Sequence, residues 1–251
     1  MRQIISDEKI LSYIKKVSNA TIKNICTEFK ISESTARRAL VRLARADYIN
    51  RYKGGAIALV SYDNDFGYRF NSNRSQKDMI ARKAAEKIEE DSVVILLGGT
   101  TVSLMCPYLS GRKLTVITNS LPVIDQLKEF PDITLVMLGG IYNREELEFF
   151  DNVTTAGLRL MHADYLFMSC VGFSTDIGFM TDHIDSIDFY KLCMKNTDKT
   201  YMLADSAKSK LTGISVIAET GEIDCIITDG GITTDETAIF NDNNVEVIIV
   251  Q

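Results

Sequence analysis

The chain has 251 residues, of which 45% are hydrophobic and 25% charged, and its formal net charge is −6 at pH 7. This length favours two domains, and this hydrophobic content is ample for a buried core. The charge is divided unevenly, because residues 1–60 hold 12 lysines and arginines against 5 acidic residues, whereas residues 61–251 hold 16 against 29. The first part is therefore suited to nucleic acid, and a phosphate backbone should repel the acidic remainder.

Several classes of protein are excluded at this level. No apolar run approaches about 18 residues, and the first nine residues are too polar for a signal peptide, so we expect a cytoplasmic protein with no membrane partner. Five scattered cysteines without a Cys-x-x-Cys pair favour buried, reduced thiols over disulfides or zinc. Because the two histidines, His162 and His183, are too few for a metal cluster, we predict no metal and no cofactor.

The first 60 residues contain three helical patterns. Apolar residues at helical spacing predict two short helices, over 10–17 and 22–29. A third helix should begin after Ser32, which is a natural N-cap, and only residues 30–32 separate it from the second. Two helices joined by so short a turn predict a helix-turn-helix unit.

The third predicted helix has two unlike faces. One face is apolar, whereas the other carries no acidic residue and consists of Ser34, Thr35, Arg37, Arg38, Arg42 and Arg45. A solvated helix usually mixes charges, so four arginines on one arc indicate a polyanion, the alternative being an ordinary charged surface helix. The second helix of such a unit enters the major groove through its N-terminal residues. We therefore predict DNA contacts by Ser32, Ser34, Thr35, Arg37, Arg38 and Arg42.

A hairpin pattern follows the third helix. Residues 48–59 form two β-prone runs around Gly54 and Gly55, which predicts a small wing rather than a plain connecting turn. Arg51 and Lys53 fall near its tip, and we expect both to contact double-stranded DNA. Residues 1–60 are thus predicted to form a winged helix-turn-helix domain. Residues 61–74 lose periodicity and are predicted to be a linker.

Residues 75–251 alternate between helical and strand patterns. A helix is predicted over 75–90, and apolar strands are predicted at 93–97, 114–118, 133–138, 165–169, 200–204, 225–228 and 245–250. Continuous apolar strands separated by helices predict a mostly parallel sheet that is covered on both faces. The expected fold class is α/β, with the small winged domain followed by this sheet domain, which we expect to bind an effector and to mediate oligomerisation.

Glycines and hydroxyl side chains follow several of these strands. Ligands of such sheets bind at the carboxyl ends of the strands. Glycines allow close backbone approach, and threonine hydroxyls with free amides at a helix start match a phosphate. A single glycine after a strand is commonly just a turn, but four such segments predict a site for a small anionic effector at Gly98, Gly99, Thr100, Thr101, Thr118, Asn119, Ser120, Gly139, Gly140 and Gly172.

The N-terminal pattern resembles a known family. The motif Ser32-x-x-Thr35-x-Arg37-Arg38-x-Leu40, followed by Arg51-x-Lys53-Gly54-Gly55-Ala56, is similar to the signature of the DeoR family of bacterial sugar-metabolism regulators. Ala36, Ala39 and Lys53 replace the Ile, Asp and His that are usual there. Gly99-Thr100-Thr101, Thr118-Asn119-Ser120, Gly139-Gly140 and Asp205-Ser206-x-Lys208 resemble, in order, landmarks of the effector domain of that family.

The resemblance implies a fold, a ligand class and further site residues. The implied fold of the body is that of ribose-5-phosphate isomerase and glucosamine-6-phosphate deaminase, and the implied ligand is a phosphorylated sugar or a related metabolite. Lys191 and Lys208 fall where the family usually carries lysines, and either side chain could neutralise a phosphate. Leu97 stands where many members have an aspartate that binds sugar hydroxyls. Ser186 falls near a usual glutamate, and residues 148–151 lack a glycine often found there.

We therefore expect a DNA-binding transcriptional regulator, a repressor, that acts as a homo-oligomer. Its body should sense a phosphorylated sugar and control binding to an operator. The alternative is an enzyme similar to sugar-phosphate isomerases, with proton transfer by Asp182, Asp185, Asp188 or Asp205. No pair of these has a spacing that demands catalysis, and a fused DNA-binding domain favours sensing, so no catalytic residue is predicted.

Overall fold

The computed structural model describes residues 7–17, 19–45, 48–52, 54–58 and 66–251. The chain divides between residues 65 and 66 into two compact units. In the parts of the chain that are described, no helix is both long and apolar enough to span a bilayer.

The first unit combines three helices with a small sheet. Its elements are α1 (Asp7–Val17), β1 (Asn19–Thr21), α2 (Ile22–Phe29), α3 (Glu33–Arg45), β2 (Ile49–Tyr52) and β3 (Gly55–Ala58). The strands form an antiparallel sheet in the order β1-β3-β2, in which β2 and β3 are the predicted hairpin. This arrangement confirms the winged helix-turn-helix fold, and β1 is an additional strand that the sequence pattern does not predict.

The apolar faces of the three helices meet in the core of this unit. Buried there are Ile10, Leu11, Ile14, Ile22, Ile25, Ala36, Ala39, Leu40 and Leu43. The short turn before α3 has clear local causes. Lys30 adopts the left-handed conformation that ends α2, with φ of 51°. The Ser32 hydroxyl accepts a hydrogen bond from the Thr35 amide at 3.3 Å, which confirms Ser32 as an N-cap.

The second unit alternates helices with strands. Its helices are α4 (Phe66–Asn71), α5 (Arg74–Ala85), α6 (Thr100–Ser103), α7 (Leu121–Leu127), α8 (Asn152–Leu158), α9 (Ile187–Lys195) and α10 (Thr234–Asp242). Its strands are β4 (Val93–Leu96), β5 (Leu114–Thr118), β6 (Ile133–Met137), β7 (Tyr142–Asn143), β8 (Glu148–Phe149), β9 (Ala163–Met168), β10 (Gly172–Ser174), β11 (Gly178–Thr181), β12 (Thr197–Leu203), β13 (Ser215–Ala218), β14 (Cys225–Asp229) and β15 (Glu246–Val250).

The segment predicted as a linker differs from the structure in its second half. Residues 66–71 form α4, in which the rings of Phe66 and Phe70 stack with centroids 5.9 Å apart. Phe70 also packs against the core of the second unit. The polar composition of residues 61–74 concealed this short helix, and the second unit therefore begins before residue 75.

Seven parallel strands form the central sheet, in the order β15-β14-β12-β9-β4-β5-β6. Successive side chains of a strand point to opposite faces. Val94 and Leu96 accordingly belong to one apolar core, while Ile95 and Leu97 belong to a second core on the other face. The predicted parallel, doubly covered sheet is confirmed. The hairpin β7–β8 and the antiparallel sheet β10-β11-β13 are made of strands too short for the sequence pattern to reveal.

The order of the strands determines where a ligand is expected. From β4 the chain continues to β5 and β6 on one side, and then returns to place β9 on the other side of β4. In open α/β sheets, ligands bind at the carboxyl ends of the strands where the strand order reverses in this way. The residues that follow β4 and β9 are therefore the first place to look.

Candidate functional site

The exposed face of α3 is the candidate DNA-binding surface. Ser34, Arg37, Arg38 and Arg42 are exposed, and Thr35 is half-buried. The Ser32 hydroxyl lies 2.9 Å from the hydroxyl of Ser34 and 2.9 Å from that of Thr35, so small donors and acceptors cluster at the helix start. Arg51 is exposed on β2, and Lys53 lies outside the described residues.

Two arginines of this surface already have acidic partners. The Arg42 guanidinium donates two hydrogen bonds to the Asp7 carboxylate, at 2.6 and 2.7 Å, and so joins α3 to α1. Arg37 donates to Glu33, one turn earlier in α3, at 3.2 Å. The expectation that acidic residues are absent from this arc is therefore corrected, because Glu33 and Asp7 both reach it.

These pairs rank the arginines for binding DNA. A bidentate pair is geometrically specific, and Arg42 must leave Asp7 to reach a phosphate or a base. The single bond between exposed Arg37 and Glu33 is weak by comparison. Arg38 donates only to the Ser34 carbonyl of its own helix, at 3.3 Å. Of these three arginines, Arg37 and Arg38 are therefore the better candidates for contacting DNA.

In the second unit, the turn after β4 forms the centre of the candidate effector site. Leu97 points into the apolar core, and Gly98 and Gly99 lead into α6. Gly99 has φ of 112°, a conformation that favours glycine, and a side chain there would place its Cβ 3.2 Å from the Cβ of Ser169. The carboxyl ends of β4 and β9 therefore touch at the position where the strand order reverses.

Lys208 lies beside this contact. Its ammonium donates to the Ser169 hydroxyl at 2.9 Å and to the Cys170 carbonyl at 2.5 Å. Gly172 makes this approach possible, because a Cβ at that position would lie 2.1 Å from the Leu211 carbonyl oxygen. Gly172 thus has a packing role that brings the segment of Lys208 against β10.

A second cation, Lys77, is buried on α5. Only 4% of Lys77 is exposed, and its ammonium donates to the Arg69 carbonyl at 2.5 Å. Burial, followed by the like charge of Lys208, lowers the pKa of Lys77 to about 8. The buried Asp205 accepts a hydrogen bond from the Asn73 amide at 2.9 Å, and its carboxylate favours the charged form of Lys77.

The hairpin β7–β8 brings two glutamates to the opposite side of the turn. The Asn143 side chain accepts hydrogen bonds from the amides of Glu145 and Glu146 and shapes the hairpin loop. The Phe149 amide donates to the Asn119 carbonyl at 2.9 Å, which joins β8 to the segment after β5. Glu146 and Glu148 are both buried as a result.

The two glutamates have different environments. Glu146 lies 2.7 Å from the Arg69 guanidinium and 3.0 Å from His183 Nε2. Burial raises the pKa of Glu146, but His183 and Arg69 outweigh it and hold the pKa below its usual value. Glu148 is 3% exposed, and its described hydrogen-bond partner is the Asn119 amide at 3.4 Å. Burial, with the neighbouring charge of Glu146, raises the pKa of Glu148 to about 8.

Three buried hydroxyl or amide oxygens of the predicted site have no hydrogen-bond partner within the described parts of the chain. They are Thr101 Oγ1, Asn119 Oδ1 and Ser120 Oγ. Leaving such groups unpaired is costly, so a cluster of them requires an explanation. Thr118 differs, because its hydroxyl accepts the Ser120 amide at 3.0 Å. The free oxygens give the site capacity to bind a polar ligand.

The remaining predicted residues have contacts of their own. Lys191 pairs with Glu222 at 2.5 Å, just before the amino end of β14. Gly139 and Gly140 are held by α8, since the Gly139 carbonyl accepts from Thr154 at 2.9 Å and a Cβ at Gly140 would lie 2.3 Å from the same hydroxyl. Ser186 donates to the His183 carbonyl at 2.7 Å.

Helix α6, which follows Gly99, has only four residues and therefore a weak helix dipole. The positive charge of the candidate effector site comes mainly from its lysines.

Several residues of the site are not predicted by the sequence pattern. They are Arg69, Lys77, Glu146, Glu148 and Ser169. Lys77 had a signal, because it occurs at helical spacing with Ile80, Ala81 and Ala84 on the buried face of α5. Ser169 ends a predicted strand, so the rule of strand ends should have included it. The glutamates had no signal, since their position depends on a hairpin of two-residue strands.

Metal chemistry receives no support from the side chains. Within the described ranges, no group of three or more His, Cys, Asp or Glu residues is placed to hold a metal ion. All five cysteines are free thiols, and Cys26 is half-buried while the other four are buried.

Comparison with known proteins gives first a class and then a family. Residues 7–61 match the DeoR-like helix-turn-helix domain, and residues 72–230 match the DeoR C terminal sensor domain. A DNA-binding head and a sensor domain on one chain define a transcriptional regulator. The chain belongs to the DeoR family, and the resemblance noted in its sequence is confirmed.

Two relatives and one solved structure illustrate the range of similarity. The chain is 30% identical to the HTH-type transcriptional repressor GlcR of Bacillus subtilis (strain 168), over 96% of this chain and 94% of that protein. It is 29% identical to the lactose phosphotransferase system repressor of Streptococcus mutans serotype c, over 88% of this chain and 90% of that protein. Ribose 5-phosphate isomerase A of Methanocaldococcus jannaschii has 16% identity over 55% of each chain, with a TM-score of 0.41. That structural likeness is too weak to carry an argument, so the implied isomerase fold stays a prediction.

The environment of Glu148 predicts a distinct dependence of stability on pH. Its pKa in the folded protein is about 8, against an ordinary value of 4.5, so the folded state keeps a proton that the unfolded state releases between these values. Raising the pH through this window should therefore lower the free energy of unfolding of the wild type relative to Glu148→Gln, by up to about 1.4 kcal/mol per pH unit. Urea denaturation of both proteins between pH 5 and pH 8 measures the difference, and parallel curves would contradict the assignment.

Proposed function

We propose that this transcriptional regulator is a repressor that binds its operator as a homo-oligomer and senses a phosphorylated sugar in its second unit. The observation that carries the proposal is the polarity of the site around Gly98 and Gly99. Lys77 and Lys208 lie on the side of β9 and β12, and Glu148 lies on the side of β5. The relatives named as repressors, one of them of a lactose phosphotransferase system, support the same conclusion.

A sugar phosphate matches this polarity. Two ammonium groups favour a phosphate dianion near Ser169, whose hydroxyl already accepts a hydrogen bond from Lys208. The unpaired oxygens of Asn119 and Ser120 suit sugar hydroxyls on the other side. The Asp205 carboxylate accepts a hydrogen bond from Asn73 and favours the charged form of Lys77, so it helps keep this ammonium positive for the phosphate. We infer that the site binds such a ligand without converting it.

We expect Lys77→Met and Lys208→Met to weaken binding of hexose 6-phosphates by about tenfold to a hundredfold, because each removes a hydrogen bond from a charged donor. Lys128→Met removes the same charge from an exposed ion pair with Asp125 and should bind like wild type. Thermal-shift titration with hexose phosphates, free hexoses and inorganic phosphate measures the effect. Nuclear magnetic resonance of the incubated ligands should show no isomer, and formation of product would instead favour the enzyme.

The DNA-binding surface is tested by charge removal on α3. We expect Arg37→Ala and Arg38→Ala each to weaken binding to duplexes selected by the wild type from a random library. A lost base contact should cost about 1 to 3 kcal/mol and relax the sequence preference, whereas a lost phosphate contact should reduce the salt slope by about one unit. Arg159→Ala, an exposed arginine of α8's C-terminal end, is the matched control. Unchanged affinity for DNA in both α3 variants would contradict the assignment of α3 as the helix that contacts DNA.

The oligomer is proposed to form through the second unit. Strand β6 is an edge of the central sheet, and exposed apolar side chains lie at and after its end. Met137 is 61% exposed, Ile141 71% and Val153 67%. An open strand edge next to apolar side chains is prone to pair with another chain, and a second copy of this chain is the occupant that the proposed homo-oligomer supplies.

We expect the full-length protein to sediment as an oligomer and Ile141→Lys to shift it towards the monomer, because a buried unpaired charge opposes association. Ile177→Lys changes another exposed isoleucine, 53% exposed in the turn before β11, and should leave the oligomer intact. Sedimentation velocity at micromolar concentration distinguishes the two. A wild-type monomer would refute the proposed assembly, and an intact oligomer in Ile141→Lys would place the interface elsewhere.

A further inference from the structure

The carboxyl of Glu148 occupies the space beside the α carbon of Gly98. A Cβ at Gly98 would lie 1.3 Å from Glu148 Oε1 and 1.8 Å from its Cδ. The preceding side chain, Leu97, is fully buried in the apolar core. The end of β4 thus contributes no polar side chain of its own at residues 97 and 98, and Glu148 delivers one to the same place from the hairpin.

Glu148 is also the acid of the site that has no cation among its described contacts. The Arg69 guanidinium donates a hydrogen bond to the Glu146 carboxylate, at 2.7 Å. Lys208 donates to Ser169 and Cys170, and Lys77 donates to the Arg69 carbonyl. A buried carboxyl in such surroundings is favoured in its neutral form. A neutral carboxyl both donates and accepts hydrogen bonds, as a hydroxyl does, and it does not repel a phosphate bound nearby.

Two residues that contact Glu148 carry polar atoms without a hydrogen-bond partner among the described residues. Asn119, whose amide nitrogen approaches Glu148, has an unpaired Oδ1, and Ser120, which forms a β-bridge with Glu148, has an unpaired Oγ. Both residues are 0% exposed. A residue that only filled space would not require unpaired polar atoms next to it, because each one costs stability. Their presence points to a polar ligand that completes the hydrogen bonds.

We propose that Glu148 is a specificity-determining residue of the effector site, and that its carboxyl binds a hydroxyl in the sugar part of the effector. Gly98 is required because any side chain there displaces this carboxyl. The phosphate binds separately, on the side of Lys77 and Lys208. This inference rests on the proposed function, since it assigns the hydroxyl-binding half of the same site.

The test compares three probes: glucose 6-phosphate, representing the hexose phosphates, n-hexyl phosphate, which has no hydroxyls, and inorganic phosphate. In isothermal titration, the affinity of Glu148→Ala for glucose 6-phosphate, or for another hexose phosphate, should be lower than that of the wild type by a factor of about ten or more. Its affinity for the other two probes should be unchanged. Glu148→Gln retains a donor and an acceptor in the same shape and should remain within about threefold of wild type.

Gly98→Ala tests the role of the glycine. It leaves the chemistry of Glu148 intact but occupies the space of its carboxyl, so the variant should lose hexose phosphate affinity as Glu148→Ala does. Gly230→Ala is the matched control, because a Cβ there meets nothing within 4 Å. If Gly98→Ala is poorly folded, the double variant Gly98→Ala/Glu148→Ala relieves the clash. It should lose no more affinity than Glu148→Ala, because both changes act through one carboxyl.

The outcomes separate this inference from the function on which it rests. If the wild type prefers a hexose phosphate to n-hexyl phosphate and Glu148→Ala shows the same preference, the proposed role of Glu148 is wrong. The proposed function then still holds. Equal weakening of all three probes in Glu148→Ala also overturns it, since the residue would then be structural. If the wild type binds none of the hexose phosphates and neither of the other two probes, the proposed function and this inference are both wrong.

Discussion

The contact between the Glu148 carboxyl and the α carbon of Gly98 determines how the second unit is built around the end of β4. Because no Cβ intervenes, a hairpin from the far side of β5 reaches the position where the strand order reverses. The adjacent glycine, Gly99, turns with positive φ towards Ser169 at the end of β9. Two neighbouring glycines therefore bring side chains from opposite directions to one turn.

Burial gives the lysine side and the glutamate side of the candidate effector site different electrostatic environments. Lys77 and Lys208 are like charges held close together, and burial already lowers the pKa of Lys77, so an added anion relieves both. Glu146 pairs with Arg69 and His183, and among the described residues Glu148 has no ion pair. A ligand with one charged end and one hydroxyl-bearing end satisfies both environments, whereas a symmetric dianion satisfies only the first. The proposed orientation of the effector follows from this difference.

Much of the fold was accessible from sequence. The stripe of Ala36, Ala39, Leu40 and Leu43 predicted α3, and continuous apolar runs predicted the seven strands of the central sheet, because burial imposes these periodicities directly. The site was only partly accessible. Glycines and threonines after β4 and β5 are visible as strand ends, but Glu148 lies 50 residues after Gly98 and meets it only through tertiary packing.

Other long-range contacts were equally hidden from the sequence. The contacts of Lys191 and Gly139 lead to Glu222 and to α8, and their binding of an effector stays a prediction. The predicted linker contains α4, whose Arg69 supplies the partner of Glu146. Arg42 stood on the basic arc of α3, but Asp7 lies 35 residues earlier and could not be paired with it from spacing alone. Long-range ion pairs leave no periodic signal.

The most direct measurement is the crystal structure of the full-length protein with the hexose phosphate that gives the largest thermal shift. The account predicts the phosphorus atom on the side of Lys77 and Lys208, with a sugar hydroxyl hydrogen-bonded to the Glu148 carboxyl above Gly98. A phosphate bound at Gly139 and Gly140 or beside Lys191, with Glu148 in contact with no ligand atom, would contradict it.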